Sequence, residues 1–134
     1  MLKGKLLLRS KLSSAVIAVI AVSDLGRARN FYADTLGLEP EGGSEGDVLT
    51  FRTGTTQLIV YKSEFAGTNK ANAVVWNAGK DFDAIVDQLR EQGIAFEEYP
   101  DMGMDISDGV HRSGDFKGVW FKDPDGNILH VGNM

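Results

Sequence analysis

No cysteine occurs among the 134 residues, which excludes disulfides, thiolate metal sites and a cysteine nucleophile. The redox compartment therefore leaves no trace in the composition. An excess of positive charge is also missing. Lys and Arg number 14 against 19 Asp and Glu, for a net charge of -5 and a pI near 4.9, whereas binding to nucleic acid calls for clustered cations. No apolar run approaches the roughly 20 residues that cross a bilayer. The nearest, Ala15 to Val22, follows Met1-Leu-Lys-Gly-Lys and loosely imitates a secretory leader. Its residues Val16, Ile17, Val19, Ile20 and Val22 are β-branched and run straight into a helix start, so it reads as a buried strand. The expectation is a cytoplasmic protein with neither a nucleic acid nor a membrane as partner. Histidine is scarce as well, with only His111 and His130.

What is present belongs to an ordinary globular chain, 43% hydrophobic and 25% charged, long enough for one domain with a real core. After the first strand, Ser23 or Asp24 can cap a helix whose Leu25, Ala28, Tyr32 and Leu36 recur at helical spacing until Gly37 stops it. Leu38 to Glu41 reads as a weak strand, the glycine-rich residues 42–46 as a loop, and Val48 to Arg52 and Gln57 to Lys62 as two strands around Thr53-Gly54-Thr55. Ser63 to Lys70 is a linker, after which the order starts again. Asn72 to Asn77 predicts a strand, Asp81 a cap, and Phe82, Ile85, Val86 and Leu89 a helix that stops at Gly93. Ile94 to Tyr99 predicts a strand and Pro100 to Gly114 a long polar loop. Phe116 to Lys122 and Asn127 to Val131 predict a hairpin around Asp123-Pro124-Asp125-Gly126, where proline and glycine are turn chemistry.

Both halves thus read βαβββ, with Asp24 to Gly37 matched by Asp81 to Gly93, a period too long for a solenoid. The expected class is α+β: two paired modules forming a cupped mixed sheet. The boundaries read as an extension over residues 1–13 and one domain over 14–134, with modules at about 14–66 and 70–134. Within the extension, Lys5 to Leu8 is either an added edge strand or part of a loose arm.

Two stretches carry a family resemblance. Residues 22–38, Val-Ser-Asp-Leu-Gly-Arg-Ala-Arg-Asn-Phe-Tyr-Ala-Asp-Thr-Leu-Gly-Leu, resemble the first-module signature of the vicinal oxygen chelate superfamily, which includes glyoxalase I, bleomycin-resistance proteins, extradiol dioxygenases and fosfomycin-resistance thiol transferases. Residues 121–129, Phe-Lys-Asp-Pro-Asp-Gly-Asn-Ile-Leu, resemble its last hairpin. The resemblance implies a cup around a small-molecule cavity and a homodimer. It also implies a divalent metal held by His and Glu. Carried over singly, those ligand positions fall on Ile17, Asn72 and His130, and the strand Gln57 to Tyr61, where one branch has a further carboxylate, has none. A catalytic divalent site takes about three protein ligands. One imidazole and one neutral amide fall short of that, so we expect no metal and no cofactor.

If Ile17, Asn72 and His130 point into the cup, strand alternation adds Val19, Val74, Trp76, Ile128 and Gly132, and the neighbouring strands add Trp120, Ile59 and Tyr61. The expected ligand-binding set is Ile17, Tyr61, Asn72, Trp76, Trp120 and His130, an aromatic-lined cup of the kind small molecules occupy. His130 is the one catalytic candidate. It can act as an acid or base, contact a ligand, or serve the structure alone. His111 reads as an exposed loop residue. Asn72 either makes a polar contact in the cup or satisfies backbone at a strand start. Trp76 and Trp120 either stack on a planar ligand or fill core, and Met102 and Met104 form either a pliable lid or a disordered tip.

Three functions compete on this reading. The first is a metal-independent small-molecule binder that takes or sequesters a hydrophobic or planar compound. The second is a divergent enzyme, either a metal-dependent lyase or dioxygenase or a metal-free isomerase or hydrolase using His130. The third is an interaction protein with a vestigial cavity. The dismantled ligand set favours the binder over the enzyme.

Overall fold

In the computed structural model, residues 16–42 and 46–134 are described. The extension at 1–13, the Lys5 to Leu8 alternative, Ala15 and the middle of the 42–46 loop lie outside the described residues.

The first sheet holds β1 (Ala18–Val22), β2 (Glu39–Pro40), β3 (Val48–Thr53) and β4 (Thr56–Lys62) in the order β1-β4-β3-β2. β1 and β4 run parallel because a helix crosses between β1 and the β2 to β4 meander. That helix, α1, is α-helical over Leu25–Arg29 and widens to a π-helix over Asn30–Thr35, where the N–H of Leu36 donates to the carbonyl of Phe31. Its start is as expected: Asp24 accepts the N–H of Arg27 at 2.9 Å. The widened turn follows from no signal in the apolar spacing. It carries Tyr32, fully buried, whose hydroxyl donates to Asp123 Oδ2 at 2.6 Å.

The second sheet holds β5 (Asn72–Asn77), β6 (Asp105–Ser107), β7 (Val110–Ser113), β8 (Phe116–Lys122) and β9 (Ile128–Gly132), in the order β5-β9-β8-β7-β6. Helix α2 (Phe82–Glu91) follows β5. Asp81 makes no side-chain cap; a single 3-10 turn at Gly79–Asp81 leads into the helix instead. Edge strands β1 and β5 lie beside one another, and one continuous core runs from Ile20, Phe51 and Val60 to Phe82, Val119 and Leu129.

The Asp-Pro-Asp-Gly turn does more than reverse the chain. Buried Asp123 accepts from Tyr32 of α1, from its own turn through the N–H groups of Asp125 and Asn127, and from the Asn127 amide. Asn127 also donates to the carbonyl of Ala21 in β1 at 2.8 Å. Asp125 takes the Ser23 hydroxyl and an ion pair from Arg27. The turn therefore latches the second half onto the first. Burial together with the adjacent Asp123 carboxylate raises the Tyr32 phenol far above its usual range, so it stays a donor.

Two further stretches of the second half differ from expectation. Ile94 to Tyr99 makes no strand beyond one bridge from Glu97 to Trp120. The stretch Pro100 to Gly114 is no open loop: β6 and β7 form a hairpin there, turned by Asp108 and Gly109 with φ of 50 and 80, the two left-handed residues that a type I′ turn needs.

Candidate functional site

Each sheet has one face against the helices and one free of them. On the first sheet alternation is regular. Ile20, Val22, Leu49, Phe51, Leu58 and Val60 are buried under α1, while Val19, Val48, Ile59 and Tyr61 occupy the other face. Val19 remains 54% exposed and Tyr61 38%. Ile17, just before β1, is also exposed. Thr50, Arg52 and Gln57 share this side, the last two bonded to Glu41, so the surface is apolar around Val19, Ile59 and Tyr61 and polar toward its outer edge.

The corresponding face of the second sheet is closed by aromatic rings. Trp120 and His130 are register partners on β8 and β9 and stack with centroids 4.1 Å apart and planes 13° from parallel. His111 from β7 meets the indole edge-on at 4.9 Å, and Tyr99 does so at 5.8 Å. His111, expected to be exposed, is 0% exposed. The N–H of Tyr99 donates to His111 Nε2 at 2.9 Å, so the ring proton sits on Nδ1 and faces the carbonyl of Gly109. The β6–β7 hairpin carried it inward. The Asp-Gly pair between the alternating segments was the signal that could have found it.

His130 is held the same way round. Its Nδ1–H donates to the carbonyl of Val119 at 3.0 Å, which leaves Nε2 as an acceptor. No buried side-chain nitrogen or oxygen among the described residues lacks a partner, so Nε2, which has no hydrogen bond there, reaches solvent. Gly118 and Gly132 make room for the ring. A Cβ on Gly118 would lie 2.8 Å from His130 Cε1, and one on Gly132 3.3 Å from Nε2. Burial lowers the pKa of His130 against the opposing pull of its bond to Val119, with His111 lowering it further. The ring is a neutral, oriented hydrogen-bond acceptor with the geometry of a weak base.

The structure divides the expected set. Asn72 pairs with Ile128 and Val75 with His130, which puts both on the helix-free side. Between Asn72 and Val74 the register shifts by a β-bulge. The extra residue inverts every side chain after it. Val74 and Trp76 therefore turn to the helix-covered side, Trp76 opposite Val131, and the expectation that they face the cup is corrected. Val75, 50% exposed, takes their place. Trp120 lies on the expected side but is buried beneath His130, His111 and Tyr99. Met102 is exposed on a 3-10 turn at Pro100–Met102.

The metal expectation can be tested on the donors. Ile17 offers hydrocarbon, Asn72 an exposed neutral amide, and His130 one free nitrogen. Among the described residues no three His, Asp or Glu side chains are grouped to hold a metal ion. These residues do not fit a divalent catalytic site.

The family model for the Glyoxalase/Bleomycin resistance protein/Dioxygenase superfamily matches residues 14–131. Solved structures of the same fold include a lactoylglutathione lyase from Agrobacterium tumefaciens, 21% identical with a TM-score of 0.68 over 90% of this chain and 92% of that one. TnmS3, an antibiotic binding protein from Streptomyces sp. CB03234, is 24% identical with a TM-score of 0.66 over 88% of this chain and 93% of that one. The fosfomycin resistance protein FosX from Mesorhizobium loti is 13% identical with a TM-score of 0.64 over 90% and 92%. At these identities the likeness concerns fold. Compared by sequence with characterised proteins, the chain has no significant match. No described helix is long and apolar enough to cross a membrane.

Proposed function

From the premise that this chain belongs to the Glyoxalase/Bleomycin resistance protein/Dioxygenase superfamily, we propose that it is a metal-independent small-molecule-binding protein. Its ligand is a hydrophobic or planar compound that lies on the helix-free face of the first sheet. The observation that carries this reading is the pairing of an intact fold with an apolar surface at exposed Val19, Tyr61 and Val75 and half-buried Ile59, bordered by two polar groups, Asn72 and the free Nε2 of His130. An apolar wall with a few placed polar groups is the usual make-up of a small-molecule site. A ligand donating an O–H or N–H to Nε2 would be oriented by it. TnmS3, of the same fold, is an antibiotic binding protein; sequestration of that general kind suits a site without a metal. A homodimer belongs to the same proposal, because a second copy could complete the cup over a face that one chain leaves open.

A metal-free enzyme is the second reading, favoured by one feature, the anchored Nδ1–H and free Nε2 of His130, which suit proton transfer.

Thermal-shift screening of planar and hydrophobic compounds tests the binder. A compound at a hundred times its Kd adds about 2.7 kcal/mol to stability, and Ile59→Asp should abolish the shift. A broad panel without a shift would overturn the proposal. So would stoichiometric Fe, Mn, Ni or Zn that is lost on His130→Ala. Turnover that disappears in the same variant without any metal would move the assignment to the second reading.

A further inference from the structure

The bulge at Ala73 that takes Trp76 out of the cup places it in the wall of a separate cavity of about 570 Å³ on the helix-covered side. Phe121 and Val131 form its floor. Leu36 and Leu38 come from the end of α1, and Ile85 and Leu89 from α2. The sheet itself separates this space from His130, since Trp76 pairs with Val131 while its neighbour Val75 pairs with His130. A space of a few hundred Å³ with an apolar floor accommodates a small organic molecule.

Three features set the charge of such a molecule. The charged side chains lining the cavity are Asp34 and Glu91, both carboxylates, with no Lys or Arg among the described residues that line it. Both helices end here, α1 at Thr35 and α2 at Glu91, and a helix C-terminus is the negative end of its aligned peptide dipoles. Two helix cations are committed elsewhere, Arg90 to the carbonyl of Asp108 and the ring of Phe96 and Arg27 to Asp125, while Arg29 and Lys80 lie outside the lining. An anion entering the cavity would meet two carboxylates and two negative helix ends. A cation would meet the same groups with opposite sign, and the half-buried indole of Trp76 offers its ring to a flat body or to the charge itself.

We infer that this cavity is a second binding site, for a small organic cation with a flat apolar body, the ring lying against Trp76 and the ammonium at the Asp34 and Glu91 rim. It stands independently of the ligand face on the first sheet.

Tryptamine, indole and indole-3-acetate share a ring and differ in charge, which makes them suitable probes for calorimetry on the full chain at low ionic strength. Tryptamine should bind at least about tenfold more tightly than indole, by the summed attraction of the carboxylates and helix ends, and indole-3-acetate should not bind at the same concentrations. The preference should shrink with added salt. Asp34→Asn combined with Glu91→Gln, both at exposed positions that leave the fold intact, should erase the preference and keep indole binding. Gln88→Trp, from an exposed position at the mouth, should weaken all binding, and His130→Ala should leave tryptamine binding unchanged. The inference is overturned if indole-3-acetate binds as tightly as tryptamine, if none of the three binds at millimolar concentration, if the preference survives removal of both carboxylates, or if tryptamine binding follows His130 rather than Gln88.

Discussion

The helix-free faces of the two sheets descend from the same order of elements and end in opposite states. On the first sheet Val19, Ile59 and Tyr61 meet solvent. On the second the same side is packed with Trp120, His130 and His111 and covered by Tyr99, and the sheet is extended by a fifth strand, β6, that the first half does not have. The difference shows where this chain has room for function. The half with the added strand β6 fills its concave surface with its own rings, leaving one ring nitrogen at the border. The half without it leaves Val19 and Tyr61 open to solvent. Repeating a module therefore duplicates the scaffold without duplicating the site.

The largest expected effect comes from breaking the closed face. Trp120 is nearly fully buried between two imidazoles, and Trp120→Ala should cost about 3–5 kcal/mol, as deletion of a buried aromatic does. Urea unfolding measures it. A cost below about 1 kcal/mol would mean that the aromatic stack is no part of the core and that the contrast between the faces is one of appearance.

The scaffold behind this contrast is legible in the residues, whereas the contrast itself rests on pairing and tertiary contacts. Most strands, both helices and the final turn follow from apolar runs, periodicity and glycine stops, because those signals are local, whereas Ile94 to Tyr99 forms no strand and β6 and β7 replace an expected loop. The open first face does not show in the sequence, because β1 and the Leu58 to Tyr61 part of β4 are continuous apolar runs that read as strands buried on both sides. Trp76 was misplaced because a bulge depends on the pairing partner, here β9, and nothing in Asn72-Ala73-Val74 announces it. His111 was misplaced because Asp108-Gly109 sits in a polar stretch that reads as loop unless the turn is given precedence over composition. The role of Asp123 was half visible: its turn is local chemistry, whereas its bond to Tyr32 spans 91 positions and belongs to the tertiary fold.

Smaller in effect is the pH response of the closed face. Unfolded, an imidazole titrates near 6.5. In the fold, burial holds His130 lower despite its bond to Val119, and the neighbouring His111 adds to the lowering. Between the two values the unfolded chain binds a proton that the folded chain does not. Stability contributed by the neutral ring is therefore complete above about pH 6.5, declines as the pH falls from there toward the folded pKa, and levels off below it. His130→Gln should flatten that part of the curve. An NMR titration of the His130 ring with a midpoint at or above 6.5 would show that its face admits water freely, which would erase the contrast with the first sheet.

The smallest effect is expected on the open face, and it sharpens the comparison most. Tyr61 is as large as many core residues, yet it is partly exposed and makes no side-chain hydrogen bond among the described residues, so Tyr61→Ala should change the stability of the dilute monomer by no more than about 0.5 kcal/mol. The same substitution should weaken binding of any compound found to shift the melting point, because it removes part of the wall on which that compound lies. If Tyr61→Ala instead costs as much as Trp120→Ala, the face is already covered in the free protein. A second copy is then the cover, and the cost must grow with protein concentration, since association stabilises by mass action. A cost independent of concentration would leave neither ligand nor second copy as the cover, and the two faces would have to be treated as equally structural.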